Sequence, residues 1–141
     1  MSRANYSDCL DSTELNLWRG AVESAIRGKR GQAILREMLA AFDAMPVKEL
    51  IAHDLERADG AVCALGCVGK KRGLDMSRLD PEDSENIAKA FGISDALTRE
   101  IEFENDEHRK WDGYGERSRE ETPSERWTRM RAWVAAQIKP L

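Results

Sequence analysis

Apolar residues recur at spacings of three and four along two segments near the start of the chain, which is the pattern of amphipathic helices. The first helix is predicted to begin at Asp11, a good N-cap that is followed three residues later by Glu14. Its apolar stripe consists of Leu15, Trp18, Val22, Ala25 and Ile26. The second helix ends before Pro46, and its stripe consists of Ile34, Leu35, Met38, Leu39 and Phe42. The turn between them is short, which favours an antiparallel helical hairpin.

The next segment, residues 48–62, fits two structures. Asp59-Gly60 is a turn signal, and it is consistent with one short β-hairpin near residues 50–64. The spacing of Leu50, Ile51 and Leu55 fits a helix over about 46–57 equally well, and the helix is our preferred prediction. A helix of small residues follows, with Gly66 and Gly69 allowing a close approach to a neighbour. Its candidates for burial are Cys63, Leu65, Cys67 and Val68.

Capping patterns predict three more helices. Asp80-Pro81 begins one that ends at Gly92, and Ser94 caps the next, which carries Leu97, Ile101 and Phe103. Residues 107–121 are polar and contain two glycines, so we expect an exposed, mobile loop. A capping box at Thr122 begins the last helix, which runs to about Gln137 with a stripe of Trp127, Met130, Val134 and Ile138. The chain is therefore predicted to be mainly α, a single helical domain over residues 1–141 with about six helices in one compact bundle.

Composition restricts the number of domains, the classes of binding partner and the cellular compartment that we expect for this protein. The chain has 141 residues, enough for one core, and its net charge of −4 gives no general attraction to nucleic acid or acidic lipid. Its 3 cysteines, an odd number, argue against a disulfide framework and fit a reducing compartment. Neither a secretory signal nor an apolar run of membrane-spanning length is recognisable. These features predict a cytoplasmic protein that does not associate with membranes.

A basic cluster, "RGKRGQ", lies between the first two predicted helices. Arg27, Lys29 and Arg30, followed by Gln32, stand at the start of a helix, where backbone N–H groups can hold a nucleotide or another phosphate. A second cluster, Lys70-Lys71-Arg72, would strengthen that site if it approached the same face. The spacing is not that of a Walker loop, and cations also stabilise a helix end without any ligand. A contact surface for an acidic partner is the preferred interpretation.

Residues 85–101 match parts of a helix-turn-helix pattern. Its apolar, small and glycine positions are occupied by Ile87, Ala88, Phe91, Gly92, Ile93 and Ile101. Thr98 stands at a position that is usually apolar, and the second helix carries one cation, Arg99. The acids of that helix are Asp95, Glu100, Glu102, Glu104 and Asp106, which phosphates would repel. Nucleic-acid binding is therefore a minor alternative.

Catalytic and metal-binding patterns are not recognisable. Cys63 and Cys67 would share a helical face, but no spacing supplies two further ligands, so burial is preferred. Neither His53 nor His108 has a neighbouring nucleophile pattern, and His108 is expected to be solvated. The acids around residues 102–107 lack calcium-loop spacing and are expected to form a solvated helix end. We predict no catalytic residue, no metal site and no cofactor.

The four tryptophans divide between core and surface. Trp18 and Trp127 are predicted to be core residues, and Trp111 and Trp133 to be exposed. Exposed aromatic residues beside charges are common anchors of protein interfaces. A second interface is therefore predicted at Trp111 and the acids Glu100, Glu104 and Asp106, and the last helix, with Trp133 off its stripe, is a candidate homodimer face.

Four segments of the chain resemble a group of small uncharacterised proteins carried by bacteriophages and prophages. They are residues 14–41, 63–76, 91–107 and 122–138. Broader relatives share a "CALG" helix and an "ND" helix end, matched here by Cys63 to Gly66 and by Asn105-Asp106. The resemblance implies a phage setting in the cytoplasm of a bacterial host, and it implies no catalytic or binding residue. Small phage proteins of this kind often bind a host protein stoichiometrically, including inhibitors of CRISPR complexes and other defence systems.

Overall fold

The computed structural model describes residues 3–4, 12–111 and 118–140. Within these residues the chain forms six α-helices, a short 3₁₀ turn (Met76–Arg78) and one antiparallel hairpin, which confirms the mainly α prediction. The helices are α1 (Ser12–Arg27), α2 (Lys29–Ala44), α3 (Ala64–Arg72), α4 (Ser84–Phe91), α5 (Asp95–Asp106) and α6 (Pro123–Gln137). The strands are β1 (Arg109–Trp111) and β2 (Ser118–Glu120).

A single apolar cluster draws on all six helices. α2 packs on α3 and α6, while α1 packs on α5 and α2, so each of these two helices contacts both a sequence neighbour and a helix distant in the chain. α5 also contacts α3, α4 and α6, which makes it a central helix. The largest side chains of the cluster are Phe42, Met38, Leu65, Ile87, Ile101 and Met130.

The predicted stripe of α1 is wrong at its first position. Leu15 is 46% exposed, and the packing of α1 on the core begins one turn later, at Trp18 and Val22. The helix follows Asp11 as predicted, although Asp11 itself lies outside the described residues. The stripe of α2 packs on the core as predicted, and that helix ends at Ala44, just before Pro46.

Residues 45–63 form neither the preferred helix nor a regular hairpin. The segment is irregular, with one isolated antiparallel bridge between Glu56 and Val62. Pro46 and the positive φ angles of His53 (69°) and Gly60 (88°) prevent a repeating backbone conformation. The apolar residues of the segment, Leu50, Ile51 and Leu55, are nevertheless buried, so their spacing indicated burial and not a helix.

The predicted small-residue helix is confirmed as α3. Its four candidates for burial, Cys63, Leu65, Cys67 and Val68, are all buried. A Cβ atom on Gly66 would collide with the carbonyl group of Leu55, and one on Gly69 would meet Met76 and Phe91. The close approach inferred from these two glycines is therefore present, and Gly66 brings residues 45–63 directly against α3.

One predicted helix boundary, the start of α4, differs from the structure. α4 is capped by Asp83, whose carboxylate accepts from the backbone of Asn86, whereas Asp80 closes a preceding turn by accepting from the backbone of Glu82. Acids occupy both candidate cap positions, and the packing of Ile87 and Phe91 selects the later one. The C-cap at Gly92 and the Ser94 cap of α5 are confirmed, as is the capping box of Thr122.

The stretch 107–121 is mostly exposed where it is described, apart from the half-buried His108 and the buried Glu121, but it is not simply a loop. Arg109 pairs with Glu120, and Trp111 pairs with Ser118, in the hairpin formed by β1 and β2. Residues 112–117 lie outside the described residues. All six paired residues are exposed, so the alternation of apolar and polar positions that normally reveals a strand does not occur here.

Candidate functional site

A groove opens between the end of α2, residues 45–63 and α3. Its volume is about 630 Å³, within the range typical of ligand pockets. The floor and walls are mostly apolar and include Ala41, Ala44, Met45, Pro46, Val47, Ala61, Val62 and Cys67. Charged side chains, Glu49, Arg57, Asp59, Lys70 and Lys71, form the rim.

The groove exists because α2 stops early and residues 45–63 leave it at an angle. Lys48 Nζ donates to the backbone carbonyls of Phe42 (3.3 Å), Asp43 (2.7 Å) and Met45 (2.6 Å) at the end of α2, where the Phe42 carbonyl also accepts from the backbone N–H of Met45 at 3.2 Å. On the other side of the groove, Lys70 Nζ donates to the carbonyl oxygen of Gly60 at 2.9 Å. Lys48 therefore bonds the end of α2, and Lys70 bonds α3 to the turn at Gly60.

One cation on the rim, Lys71, forms no ion pair with any acid of the described residues. Lys70 lies 3.9 Å from Glu56, and Arg57 lies 3.5 Å from Asp59. Lys71 is exposed and forms no salt bridge or hydrogen bond within the described part of the chain. Val47, which lines the same groove, is 60% exposed although it is apolar. The groove thus offers an apolar surface next to an available positive charge.

Cys67 on the groove floor is not a reactive nucleophile. Burial, together with the neighbouring Cys63, raises the pKa of the Cys67 thiol to about 11. Because the thiolate is the nucleophilic form, this thiol is unreactive at neutral pH. Cys63 is buried as well, and its Sγ accepts from the backbone N–H of Gly66 at 3.3 Å as the N-cap of α3. Both cysteines have structural roles, in agreement with the prediction of burial.

The first basic cluster lies outside the groove lining. Arg27 is exposed and 4.0 Å from Glu23, and Lys29 and Arg30 are exposed as well. Gln32 has a structural role, because its amide nitrogen donates to the carbonyls of Ile26 (2.8 Å) and Gln137 (3.0 Å).

The start of α2 is unfavourable for an anion. A Cβ atom on Gly31 would collide with the carbonyl oxygen of Ala25, so the first turn of α2 approaches the carbonyl end of α1 closely. The negative end of one helix therefore lies at the positive end of the next, which offsets the attraction of a phosphate. The cations Arg27, Lys29 and Arg30 are exposed there.

The second basic cluster divides between two places. Lys70 and Lys71 line the groove, whereas Arg72 makes paired hydrogen bonds of 2.7 and 2.6 Å to Glu37 on α2. The guanidinium group of Arg72 also lies 5.7 Å from the ring centroid of Phe91. None of Arg27, Lys29 and Arg30 lines the groove with Lys70 and Lys71, so the two clusters do not share this pocket.

The predicted second interface is wrong in its acidic part. Glu100 is buried and pairs with Arg19 at 2.9 Å, and Asp106 is buried too. Glu104 is half-buried between His108 (3.0 Å) and Arg129 (3.8 Å). These acids face inwards because α5 is surrounded by other helices, a consequence of packing that charge counting does not show.

The tryptophans follow the predictions in part. Trp111 is exposed at 68%, as predicted. Trp18 and Trp127 are half-buried against the core, and so is Trp133, which was expected to be exposed. The partial cover of Trp133 by the core reduces the area that α6 offers to a second copy.

The helix-turn-helix interpretation loses support from the position of α5. The apolar residues of the pattern are buried where α4 meets α5, so the pattern records a tight corner between two helices. Thr98 is buried there, and its hydroxyl donates to the carbonyl oxygen of Ser94 at 2.9 Å. Seven of the 12 residues of α5 are buried, and a recognition helix must expose its face to DNA.

A buried polar cluster, formed by Arg3, Glu102, Asn105 and Asp106, lies at the end of α5. Arg3 Nε donates to Asp106 Oδ2 at 2.5 Å, and Arg3 Nη2 donates to Asp106 Oδ1 at 2.9 Å. Glu102 Oε2 lies 3.5 Å from Arg3 Nε. Within the described residues, neither Glu102 oxygen accepts a hydrogen bond, and Arg3 Nη1 donates none. The predicted solvated acidic helix end is therefore wrong, since these acids are internal.

The two carboxyls of this polar cluster have opposite pKa shifts. Burial raises the pKa of Glu102 to about 8, with Arg3 opposing and Asp106 reinforcing the shift. Burial also opposes ionisation of Asp106, but hydrogen bonds from Arg3, Asn105 and the backbone of His53 outweigh it and hold its pKa below the usual range. Asp106 is therefore the ionised partner of Arg3 at neutral pH, and Glu102 is largely protonated.

Asn105 and Asp106 connect the polar cluster to the groove wall. Asn105 Oδ1 accepts from the backbone of Ala64 at 3.1 Å, and its Nδ2 donates to the carbonyl of Ile51 at 2.9 Å. Asp106 Oδ1 accepts from the backbone of His53 at 3.1 Å. The "CALG" and "ND" motifs therefore meet in space, where they fix residues 45–63 to α3 and α5.

A second set of buried charges extends this network to α6. Arg126 donates to the carbonyls of Leu50 (2.9 Å) and Asn105 (3.0 Å), and Arg129 forms a 2.5 Å ion pair with Glu121. Sequence reasoning assigned no role to Arg3, Asn105, Glu121 or Arg126. The one available signal was the spacing of Glu102 and Asp106, four residues apart and hence on one helical face.

Comparison of the chain with protein-family models, with curated protein sequences and with solved structures found no match. Among the described residues, no helix combines the length and the apolar character needed to cross a membrane. The features of the molecule that bear on its function are the groove, the basic clusters and the buried polar cluster.

Proposed function

We propose that this protein is a non-enzymatic binding protein that holds a segment of a partner protein in the groove between α2, residues 45–63 and α3. The observation that carries the proposal is that the exposed apolar side chain of Val47 and the exposed ammonium group of Lys71, which forms no salt bridge with the described residues, line one groove. Exposed apolar surface that is rimmed by charge is typical of binding sites on soluble proteins.

The chemistry of the groove defines the partner segment. An apolar side chain of the partner fits the floor around Met45 and Val62, and a neighbouring carboxylate pairs with Lys71. Because the whole chain has a net charge of −4, an acidic partner gains attraction only near such a local positive site. The segment is therefore one in which an apolar residue stands next to Asp or Glu.

The resemblance to phage-borne proteins directs the choice of partner. A host defence protein, such as a component of a CRISPR complex, or a host regulatory protein in the bacterial cytoplasm is the partner class that this setting favours. The exposed cations Arg27, Lys29 and Arg30 serve as an additional contact for acidic surface on the same partner. A nucleotide at the start of α2 has less support, because that turn lies against the carbonyl end of α1.

Selection from a library of random displayed peptides tests the groove directly. The wild-type chain should enrich peptides in which an apolar residue adjoins Asp or Glu. Reversing the rim charge in Lys71→Glu should weaken the binding of the enriched peptides at least about tenfold, since tenfold corresponds to roughly 1.4 kcal/mol for one charge-assisted contact. Lys89→Glu is the matched control, because Lys89 is an exposed cation on α4 outside the groove.

Three results count against the proposal. The first is an absence of saturable peptide binding, and the second is peptide binding that Lys71→Glu and Lys89→Glu weaken equally. Enriched peptides that lack acidic residues would also contradict the assigned chemistry. A thermal-shift measurement with inorganic phosphate and with a nucleotide runs in parallel, and a saturable rise in Tm that Arg30→Ala abolishes would favour the phosphate alternative.

A further inference from the structure

The buried polar cluster has the geometry of a guanidinium site. Its walls are Glu102 and Asp106 of α5, the backbone of His53 and the start of α3 at Cys63. The side chain of Glu102 is 0% exposed and that of Asp106 likewise 0%. The guanidinium of Arg3, 2% exposed, fills the space between the two carboxyls.

The geometry of the site fits a planar cation that donates two parallel hydrogen bonds. Arg3 meets Asp106 through two hydrogen bonds, the side-by-side arrangement that distinguishes a guanidinium from an ammonium group. The Glu102 carboxyl, fully buried and without a hydrogen bond from the described residues, faces the same space. Burial keeps the Glu102 carboxyl largely protonated, so Asp106 is the ionised acid that pairs with the guanidinium, and Glu102 forms a neutral wall beside it.

Arg3 reaches the site from far along the chain. It is 103 residues from Asp106, and it belongs to none of the helices or strands. Ala4 is buried next to it, and its carbonyl oxygen accepts from Arg99 Nε at 2.6 Å. The cation is therefore supplied by a short piece of backbone that docks onto α5, and not by the helical framework that forms the walls.

We propose that the space between Glu102, Asp106 and the backbone of His53 is a guanidinium-binding site that the chain's own Arg3 fills in this structure and that an arginine side chain of another molecule can fill in its place. The walls also have contacts that do not involve Arg3, because Asn105 bonds the backbone of Ile51 and Ala64, and Arg126 bonds the carbonyls of Leu50 and Asn105. Asp106 also holds His53, so occupancy of the site stabilises the wall of the groove.

Chemical rescue of Arg3→Ala with N-ethylguanidinium tests the site. The variant should have a lower Tm than the wild type, and millimolar N-ethylguanidinium should restore most of the loss in a saturable manner. A ligand near a hundred times its Kd raises the Tm of a domain of this size by roughly 5 to 10 °C. Ethylammonium, which lacks the planar fork, should restore much less. The wild type, whose site is filled, should show no saturable rise.

Two variants control for general salt and solvent effects. Arg78→Ala removes an exposed arginine from the 3₁₀ turn, and N-ethylguanidinium should not stabilise it. Arg3→Ala combined with Asp106→Asn removes the paired acceptor, and the rescue should disappear. Should Arg3→Ala be unfolded by itself, recovery of its helical circular dichroism by N-ethylguanidinium is the readout.

The proposal is overturned by an Arg3→Ala variant that is as stable as the wild type. Equal responses of Arg3→Ala and Arg78→Ala to N-ethylguanidinium, or the absence of any recovery in an unfolded Arg3→Ala, also overturn it. The peptide-binding experiment on the groove is unaffected by these outcomes, because its variant, Lys71→Glu, lies outside the guanidinium site.

Discussion

Replacing Glu102 by Gln should make the protein more stable at neutral and alkaline pH. Glutamine has nearly the shape of protonated glutamic acid, so the buried space stays filled while the titration is removed. The charged and titratable groups that act on Glu102 are Arg3, Asp106, Asp95 and Arg99. Burial outweighs the attraction of the two arginines, and it raises the pKa of Glu102 from 4.5 to about 8. The side chain is therefore neutral in the folded protein under conditions in which the unfolded chain carries its charge.

The sign of the pH dependence follows from the raised pKa. Below about pH 4.5 both states bind the proton, and the contribution of Glu102 to stability is fully present. Between pH 4.5 and about 8 the unfolded state loses its proton first, so this contribution falls as the pH rises. At roughly 1.36 kcal/mol for each pH unit, the loss at pH 7 is about 3 kcal/mol, and it reaches roughly 4 to 5 kcal/mol above pH 8.

Urea unfolding of both proteins between pH 4.5 and pH 9 measures this effect. The free energy of unfolding of Glu102→Gln minus that of the wild type should be near zero at the acidic end and should grow by about 3 kcal/mol by pH 7. Acids such as Asp106, whose pKa is lowered, affect both proteins and titrate mainly below this window, so the difference isolates Glu102. Glu49→Gln, at an exposed position on the groove rim, is the matched control and should show no such growth.

Parallel curves for Glu102→Gln and the wild type across this pH window would refute the reasoning. A variant that is less stable than the wild type at pH 8 would refute it as well, because the ionised carboxylate would then be a net stabilising partner of Arg3.

Three further predictions concern the framework around the groove. Gly66→Ala should destabilise the protein by several kcal/mol in thermal unfolding, because the new Cβ atom would collide with a backbone carbonyl. Gly20→Ala is the matched control: Gly20 lies at an exposed helical position with open space around it, so this variant should be more stable by roughly 1 kcal/mol. Asn105→Ala leaves a buried N–H and a buried C=O without partners, so we expect a loss of about 2 to 4 kcal/mol and faster amide exchange in residues 50–64. Thr122→Ala removes the hydroxyl of the capping box and should lower the stability by about 1 kcal/mol, and unchanged urea midpoints would contradict the assigned cap.

Local patterns in the sequence predicted most of the helices. Spacings of three and four, together with the cap at Ser94, the αL glycine at Gly92 and the capping box at Thr122, act within a few residues, so they are readable without knowledge of the fold. The start of α4 was misplaced for a related reason. Asp80 and Asp83 are both competent caps, and the choice between them depends on which apolar residues reach the core.

The candidate site was much less predictable. Of the residues singled out in the sequence, Lys70 and Lys71 line the groove, whereas Val47 and Val62, which belong to its apolar surface, carried no signal of their own. The groove arises where an irregular segment packs against two helices, and irregular backbone has no periodicity that a sequence can display. The hairpin of β1 and β2 was missed for a different reason, because all six of its paired residues are exposed and show no alternation of apolar and polar positions.

By itself, the sequence determined the helical class, most helix boundaries and the burial of the main apolar residues, because these depend on local backbone chemistry and on short-range periodicity. Only the tertiary structure decided the role of the charges. Glu100, Glu102 and Asp106 form an acidic run along the chain, yet they are internal because α5 lies among four other helices. Arg3 pairs with Asp106, which lies 103 positions later in the sequence. Local sequence patterns extend over only a few residues, so they cannot predict a contact between residues so far apart.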